Sequence, residues 1–228
     1  MESQDDLQFK KLIGGAKLLI IDEAQRVKNI GLNMKIIHDN IPGVKVIATG
    51  SSCFDLASDI KESMAGRDFR FQLHPFSIQE ISQKISLIDI TQNIQDYLVY
   101  GSYPDVINSN DNEFKEEFLA NLVDNYLFKD MLEFDLVKKS SKLVELLRYL
   151  AYCIGSEVTA NSLANRLELG KETVEKYLDL LEQCFIIKII RPYNKKIIKE
   201  VKHPFKVYFW DLGIRNALLE NFTDFLTF

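Results

Sequence analysis

Several residue types and segments that mark particular protein classes are scarce in this sequence. It has three cysteines among 228 residues, an odd number with no Cys-x-x-Cys spacing, so neither a disulfide framework nor a zinc site is predicted. No apolar run approaches the roughly 18 to 20 residues of a membrane span. The first residues, Met1 to Asp6, are acidic and unlike a signal peptide. We therefore expect a cytoplasmic protein without a membrane partner.

The composition is that of an ordinary globular protein, with 46% hydrophobic and 27% charged residues. The length allows one large domain or two smaller ones, and we expect two. The net charge of −5 conceals an asymmetry, because residues 188–206 carry +6 and the remainder −11. The bases of that segment are Lys188, Arg191, Lys195, Lys196, Lys199, Lys202 and Lys206, against the single acid Glu200.

The first half alternates strand-like and helix-like patterns, which predicts an α/β layer. Leu18 to Ile21 is an apolar run too short for a helix and typical of a parallel strand buried on both faces. A helix at Asn29 to Asn40 and a second run at Val44 to Ala48 complete a βαβ unit. A helix over Phe54 to Met64 and a third strand over Phe69 to Leu73 follow.

Helices dominate the next part of the chain. Ser77-Ile78-Gln79-Glu80 has the pattern of a capping box, which opens a helix. Further helices are predicted over Ile94 to Tyr100 and Glu113 to Leu132, with a soft domain boundary near Leu136 to Ser141.

The second half has a different pattern. Helices are predicted over Leu143 to Cys153, Asn161 to Leu167 and Lys171 to Cys184. Strands over Phe185 to Ile190 and Val207 to Trp210 follow, with the basic segment between them. Three helices and a basic hairpin predict a winged helix-turn-helix.

Two adjacent acids, Asp22 and Glu23, follow the first predicted strand, and ligands of open parallel sheets lie at the carboxyl ends of the strands. In nucleotide hydrolases one such acid holds Mg²⁺ and the next orients the attacking water. Alternatively, the two acids simply begin a solvated helix, where their charge is favourable. Small hydroxyl residues at 49–52 end the second strand, where they would contact a phosphate or cap the next helix.

An ordered series of motifs resembles a prokaryotic AAA+ family, in which an ATPase core precedes a winged helix and a nuclease-like domain of unknown function. The resemblance covers about residues 11 to 215. Its motifs are Leu18 to Arg26, Ile47 to Ser52, Met64 to Arg67, Leu73 to Ser77, Tyr100 to Asp105, Thr173 to Leu178 and Lys206 to Gly213.

This resemblance implies ATP and Mg²⁺ as cofactors of the intact family and assigns roles to five residues. Asp22 and Glu23 look like the Walker B pair, with Asp22 on the metal and Glu23 catalytic. Ser51 or Ser52 looks like the sensor that contacts the nucleotide, and Arg67 like an arginine that approaches a phosphate in trans. An ordinary surface arginine is the equally weighted alternative for Arg67.

The phosphate-binding loop of the family, Gly-x-x-x-x-Gly-Lys-Ser/Thr, does not occur in the sequence. In the family it lies well upstream of the acidic pair, and 21 residues precede Asp22 here. Residues 14–17 and 170–173 only partly match it. We therefore expect no bound cofactor and no ATP hydrolysis by this chain alone, and either a homo-oligomer or a separate N-terminal half as its partner.

The predicted winged helix has two alternative roles, nucleic-acid binding or packing between protein subunits. The basic residues Arg191, Lys195, Lys196, Lys199 and Lys202 favour weak, nonspecific DNA contact. The helix from Lys171 to Gln183 has a net charge of −2, which disfavours entry into a DNA groove. The full prediction is a partial AAA+ α/β lobe with a helical extension (1–136), a winged helix (137–210) and the start of a further domain (211–228).

Overall fold

The structure is a computed structural model that describes residues 6–50, 63–124, 140–193 and 204–223. These residues group into two compact units, Met1–Gln72 and Leu73–Phe228. The domain boundary predicted near Leu136 to Ser141 falls almost entirely outside the described residues.

The first unit contains the predicted βαβ arrangement. Its strands pair in parallel, with Leu18 opposite Lys45 and Ile21 opposite Ala48. A one-turn 3-10 helix, Ala24–Arg26, follows the first strand. The other elements are helix α1 (Asp6–Ile13), strand β1 (Leu18–Ile21), helix α2 (Ile30–Asn40) and strand β2 (Lys45–Ala48).

Only one face of this small sheet is covered within the described residues. Phe9, Ile13 and Ile37 are buried and pack against Leu19 and Val46, which point toward α1 and α2. The alternate residues of β1 and β2 point the other way, and Ile20 is 62% exposed. The prediction of a strand buried on both faces is therefore wrong here, because both helices lie against the same face.

The predicted third strand is also wrong. Residues 69–73 form no strand, and Phe69 and Leu73 are 91% and 97% exposed. The alternation suits a strand, but a strand also needs a neighbour that supplies hydrogen bonds, and residues 69–73 pair with neither β1 nor β2. The helix predicted over Phe54 to Met64 falls mostly on residues 51–62, outside the described residues.

The second unit begins with five short helices. The capping box at its start is confirmed, because Ser77 Oγ accepts from the Glu80 N–H and the Glu80 carboxylate accepts from the Ser77 N–H. The helix predicted over Glu113 to Leu132 is described only to Asn121. These helices are α3 (Ile78–Ile81), α4 (Leu87–Gln92), α5 (Ile94–Tyr100), α6 (Pro104–Asn108) and α7 (Asn112–Asn121).

The rest of the second unit combines four helices with a three-stranded antiparallel sheet of order β3-β5-β4. A continuous apolar core joins them, with Leu146, Leu163, Val174, Leu181 and Ile187 fully buried. Among the described residues, no helix is both long and apolar enough to cross a membrane. The elements are α8 (Ser140–Tyr152), β3 (Glu157–Val158), α9 (Ala160–Leu167), α10 (Lys171–Gln183), β4 (Ile187–Ile190), β5 (Phe205–Phe209) and α11 (Leu212–Leu218).

A buried polar junction ties the end of α5 to the start of α11. The Asp211 carboxylate accepts from the N–H of Ser102 at 2.7 Å and from the N–H of Ile214 at 3.2 Å. The Asn216 amide donates to the carbonyl oxygens of Leu98 and Val99 at 3.0 and 2.7 Å. Except for Asp211 and Ile214, these partners are more than 100 positions apart in the chain, so tertiary packing brings them together.

Candidate functional site

The acidic pair and a threonine meet at the carboxyl edge of the parallel sheet. Asp22 follows β1 and Thr49 follows β2, and the Thr49 hydroxyl donates a hydrogen bond to Asp22 Oδ1. The backbone adds two bonds, from the Thr49 N–H to the Ile21 oxygen at 2.9 Å and from the Ala24 N–H to the Thr49 oxygen at 2.8 Å. These contacts fix the Asp22 carboxylate in position while the residue remains exposed to solvent.

Glu23 has an unusual backbone conformation. Its φ of 49° and ψ of 45° lie in the left-handed region, which a residue with a side chain seldom adopts. Its carboxylate lies 3.5 Å from Arg26 Nε, and its side chain is 42% exposed. The chain therefore turns sharply into the 3-10 helix, which the Glu23 side chain does not cap. Such backbone outliers cluster at functional sites, which favours a functional interpretation of this turn.

The oxygen atoms at this edge are chemically suited to Mg²⁺. Proteins usually hold Mg²⁺ through one or two carboxylates, and waters and substrate phosphates complete its coordination. Asp22, with Glu23 beside it, supplies that number of carboxylates. In the described part of the chain, no group of three or more His, Cys, Asp and Glu side chains is arranged to hold a metal. The edge thus fits a cation whose remaining ligands come from a nucleotide and water.

Thr49 is one of the hydroxyl residues at 49–52 that the sequence analysis expected at this edge, but the sensor role was predicted for Ser51 or Ser52. The predicted sensors, Ser51 and Ser52, lie outside the described residues. Because Ile21 pairs with Ala48, Asp22 and Thr49 are the next residues along the two strands and lie side by side. Assigning that register requires the folded sheet, since four-residue strands allow several.

Arg67 lies away from the acidic pair. Its Nε is 3.5 Å from Asp39 Oδ1, and both side chains are about two-fifths exposed. Asp39 lies in the last turn of α2, which returns the chain to the amino end of β2. The hydrogen bond from His38 and the charge of Arg67 both lower the pKa of Asp39. Arg67 is therefore at the opposite edge of the sheet from Asp22 and Glu23 of the same chain.

The basic segment is described only at its two ends. Arg191 is exposed directly after β4, whereas the predicted nucleic-acid contacts Lys195, Lys196, Lys199 and Lys202 lie outside the described residues. On β4, Lys188 Nζ lies 3.3 Å from Glu182 Oε1, so its charge is partly balanced.

Comparison with known proteins supports an AAA-like fold for the first unit and its neighbourhood. Residues 2–82 match the model of the AAA domain. The structure resembles the Walker-type ATPase paby2304 of Pyrococcus abyssi with a TM-score of 0.50 and 17% identity, covering 89% of this chain and 63% of that one. Residues 2–82 are thus similar to an AAA domain, and the fold of the chain resembles that of a Walker-type ATPase.

A second family model, described as a domain of unknown function (DUF8612), matches residues 91–224, more than half of the chain. The chain belongs to that family.

Relatives of uncharacterized function occur in archaea and bacteria. A protein of Methanocaldococcus jannaschii is 21% identical over 211 residues, which are 86% of this chain and 47% of that protein. A protein of Haemophilus influenzae is 25% identical over 207 residues, 86% of this chain and 51% of that protein. The chain thus spans about half the length of the curated relatives that it matches.

Proposed function

We propose that this chain is part of an ATP-dependent molecular switch and supplies the acidic half of its nucleotide site. The observation that carries the proposal is the hydrogen bond from Thr49 to Asp22 at the carboxyl edge of β1 and β2. In this arrangement Asp22 would hold Mg²⁺, Thr49 positions the Asp22 carboxylate, and Glu23 would orient the attacking water. Bound Mg²⁺ would neutralise charge on the phosphates during their hydrolysis.

By itself the chain is expected to neither bind nor hydrolyse ATP. Backbone N–H groups and the lysine of a phosphate-binding loop supply most of the anchorage of a nucleotide, and the sequence contains no such loop. Carboxylates that face phosphates without this loop repel them. A segment that carries the loop, in the same protein or in a partner, would therefore contribute the other half of the site.

Co-expression with the polypeptide encoded directly upstream tests this proposal. We expect that polypeptide to carry a phosphate-binding loop and the combined sample to release phosphate from ATP. Glu23→Gln should lower turnover by about 100-fold or more while retaining ATP binding, because it removes only the group that orients water. Asp105→Asn, at an exposed carboxylate of the second unit, is the matched control and should leave turnover unchanged.

Two results would contradict the proposal: an upstream sequence without a phosphate-binding loop, or undiminished turnover in Glu23→Gln. Phosphate release by this chain alone that Glu23→Gln abolishes would instead contradict its expected inactivity.

We further propose that Arg67 acts in trans, because it lies at the edge opposite its own acidic pair. Arg67→Ala should then reduce turnover in the combined sample without weakening ATP binding.

A second candidate function is supported by the arrangement of the second unit. Helix α8, strand β3, helices α9 and α10, and the hairpin of β4 and β5 follow one another in the order of a winged helix, with β5 between β3 and β4. We propose that this element contacts nucleic acid through its basic hairpin. Helix α10 is unsuited to a DNA groove, because acids outnumber bases on it and Lys171 is paired with Glu175 at 3.3 Å.

Fluorescence anisotropy with labelled duplex DNA tests the hairpin. We expect weak binding that is lost as salt is raised, because neutralised phosphates release counterions. Replacing both Lys195 and Lys196 by Glu should weaken binding at least about tenfold at low salt, since the net charge of the segment falls by four units. Lys17→Glu combined with Lys45→Glu, a matched reversal in the first unit, should have little effect. Equal binding by both double variants would exclude the hairpin and favour a protein partner.

A further inference from the structure

The first residues of the second unit, Leu73–Ser77, form a short segment that we call the strap. It has no helix or strand and directly follows Gln72, the last residue of the first unit. A ring stack and a backbone hydrogen bond are among the contacts that hold it. The His74 ring stacks on the Trp210 ring, with centroids 4.3 Å apart and an interplanar angle of 9°. The Phe76 N–H donates to the Ser102 oxygen at 2.9 Å.

Phe185 also contacts the strap, and we call the Phe185 and Trp210 rings, against which His74 packs, the seat. The backbone of Phe185 has an unusual conformation. Helix α10 ends in a Schellman motif, in which the Ile186 N–H donates to the Leu181 oxygen and the Phe185 N–H to the Glu182 oxygen. Phe185 occupies the left-handed position of this motif, with φ of 55°, where glycine is usual. Its ring lies edge-on to His74 at 5.3 Å and to Trp210 at 6.2 Å.

A bulky side chain in the left-handed region is strained, whereas glycine would terminate the helix without that strain. The Phe185 ring at this position contacts both rings of the His74–Trp210 pair. The Phe185 and Trp210 rings together form the surface against which His74 of the strap packs.

The seat connects directly to the buried junction of the second unit. Trp210 is adjacent to Asp211, and the Trp210 N–H donates to the Ile186 oxygen at 3.1 Å. Ser102 accepts from Phe76 of the strap through its oxygen and donates to Asp211 through its N–H. Both attachments of the strap therefore lead to Asp211, which begins α11.

We propose that the strap is a conformational anchor of the second unit, which passes displacement of residue 73 to Trp210 and Asp211. Leu73 is 97% exposed, so firm attachment begins at His74. The ring contacts of His74 with Trp210 and Phe185 and the hydrogen bond from Phe76 to Ser102 connect the strap to Trp210 and Asp211. The strap is independent of whether the protein uses ATP or nucleic acid.

Trp210 is the only tryptophan of the chain, so its fluorescence reports on the seat. In His74→Ala we expect a red shift of the emission maximum, and hydrogen exchange of the Phe76 amide roughly 2- to 12-fold faster. His74→Phe should restore both properties because it keeps the stacked ring. Leu73→Ala, at the neighbouring exposed position, is the matched control and should change neither.

Phe185→Gly distinguishes the loss of a strap contact from a loss of stability at the end of helix α10. It removes a ring from the seat but places glycine at a left-handed position, so exchange should quicken at Phe76 and not at the end of α10. Unchanged emission and exchange in His74→Ala would overturn the proposal. So would an equal response in Leu73→Ala, or faster exchange in Phe185→Gly at the end of α10 alone.

Discussion

Gly213→Ala is expected to destabilise the second unit by about 3 kcal/mol or more. A Cβ at this position would lie 2.1 Å from the Tyr100 carbonyl oxygen and 2.9 Å from Asp211 Oδ1. The nearer atom belongs to the backbone at the end of α5 and cannot rotate away. Either α5 must move away from α11 or the hydrogen bonds of Asp211 and Asn216 must be lost.

Thermal unfolding followed by circular dichroism measures this effect. A loss of about 3 kcal/mol corresponds to a decrease in Tm of roughly 6 to 12 °C for a unit of this size. Gly170→Ala is the matched control, because its Cβ would meet nothing closer than Thr173 Oγ1 at 3.8 Å. We expect the control to lose less than about 1 kcal/mol, as is usual when glycine at an N-cap is replaced. Equal Tm values for the two variants would show that α5 and α11 are not held as closely as described.

Asp211→Asn is expected to destabilise the protein by about 2 kcal/mol at mildly acidic pH, because an amide cannot accept from all the surrounding N–H groups. Asp211 is 5% exposed. Burial raises the pKa of Asp211 above that of an exposed aspartate, and hydrogen bonds from Ser102, Ile214 and Gly213 offset part of this increase.

The raised pKa also determines the pH dependence. Below the unfolded pKa of about 3.9 the carboxyl is protonated in both states, and its contribution to stability is fully present. As pH rises from there through the folded pKa, the folded state holds its proton longer than the unfolded state, so this contribution is lost. The stability advantage of the wild type over Asp211→Asn should therefore shrink as pH rises.

Urea unfolding at several pH values from about 4 upward tests this expectation. Asp105→Asn, at an exposed carboxylate, controls for the change in net charge and should show a difference from wild type that hardly varies with pH. A wild-type advantage that instead grows with pH would mean that the hydrogen bonds outweigh burial and lower the pKa of Asp211.

Local patterns in the sequence predicted most of the secondary structure. The βαβ unit and the capping box at Ser77 occur at their predicted positions, and the helices predicted in the second unit begin near them, whereas α4, α6 and α11 were not predicted. The failures share one cause. The segment Phe69 to Leu73 alternates as a strand does, but the pattern does not show whether a neighbouring strand is present to pair with it. Strand β1 is apolar as a doubly buried strand is, but its sequence does not show whether both faces of the sheet are covered. Pairing and burial depend on neighbours, which a local pattern does not contain.

The candidate site was predictable only in part for the same reason. Asp22 and Glu23 stand out because two acids follow an apolar run that is too short for a helix. The role of Thr49 depends on the register of β1 with β2, and the position of Arg67 depends on its contact with Asp39. No local pattern predicts the ring contacts of His74, because its partners, Phe185 and Trp210, are over 100 residues away.

The sequence by itself thus determined the order of the elements and the acidic pair that ends β1, because helical and strand periodicities and an adjacent pair of charges are local properties. Tertiary structure alone decided which face of the sheet is covered and which residue holds Asp22. It also decided that Arg67 lies at the opposite edge and that Asp211 joins α5 to α11. Each of these depends on atoms that are distant in the chain and become neighbours only through packing, which no short sequence pattern encodes.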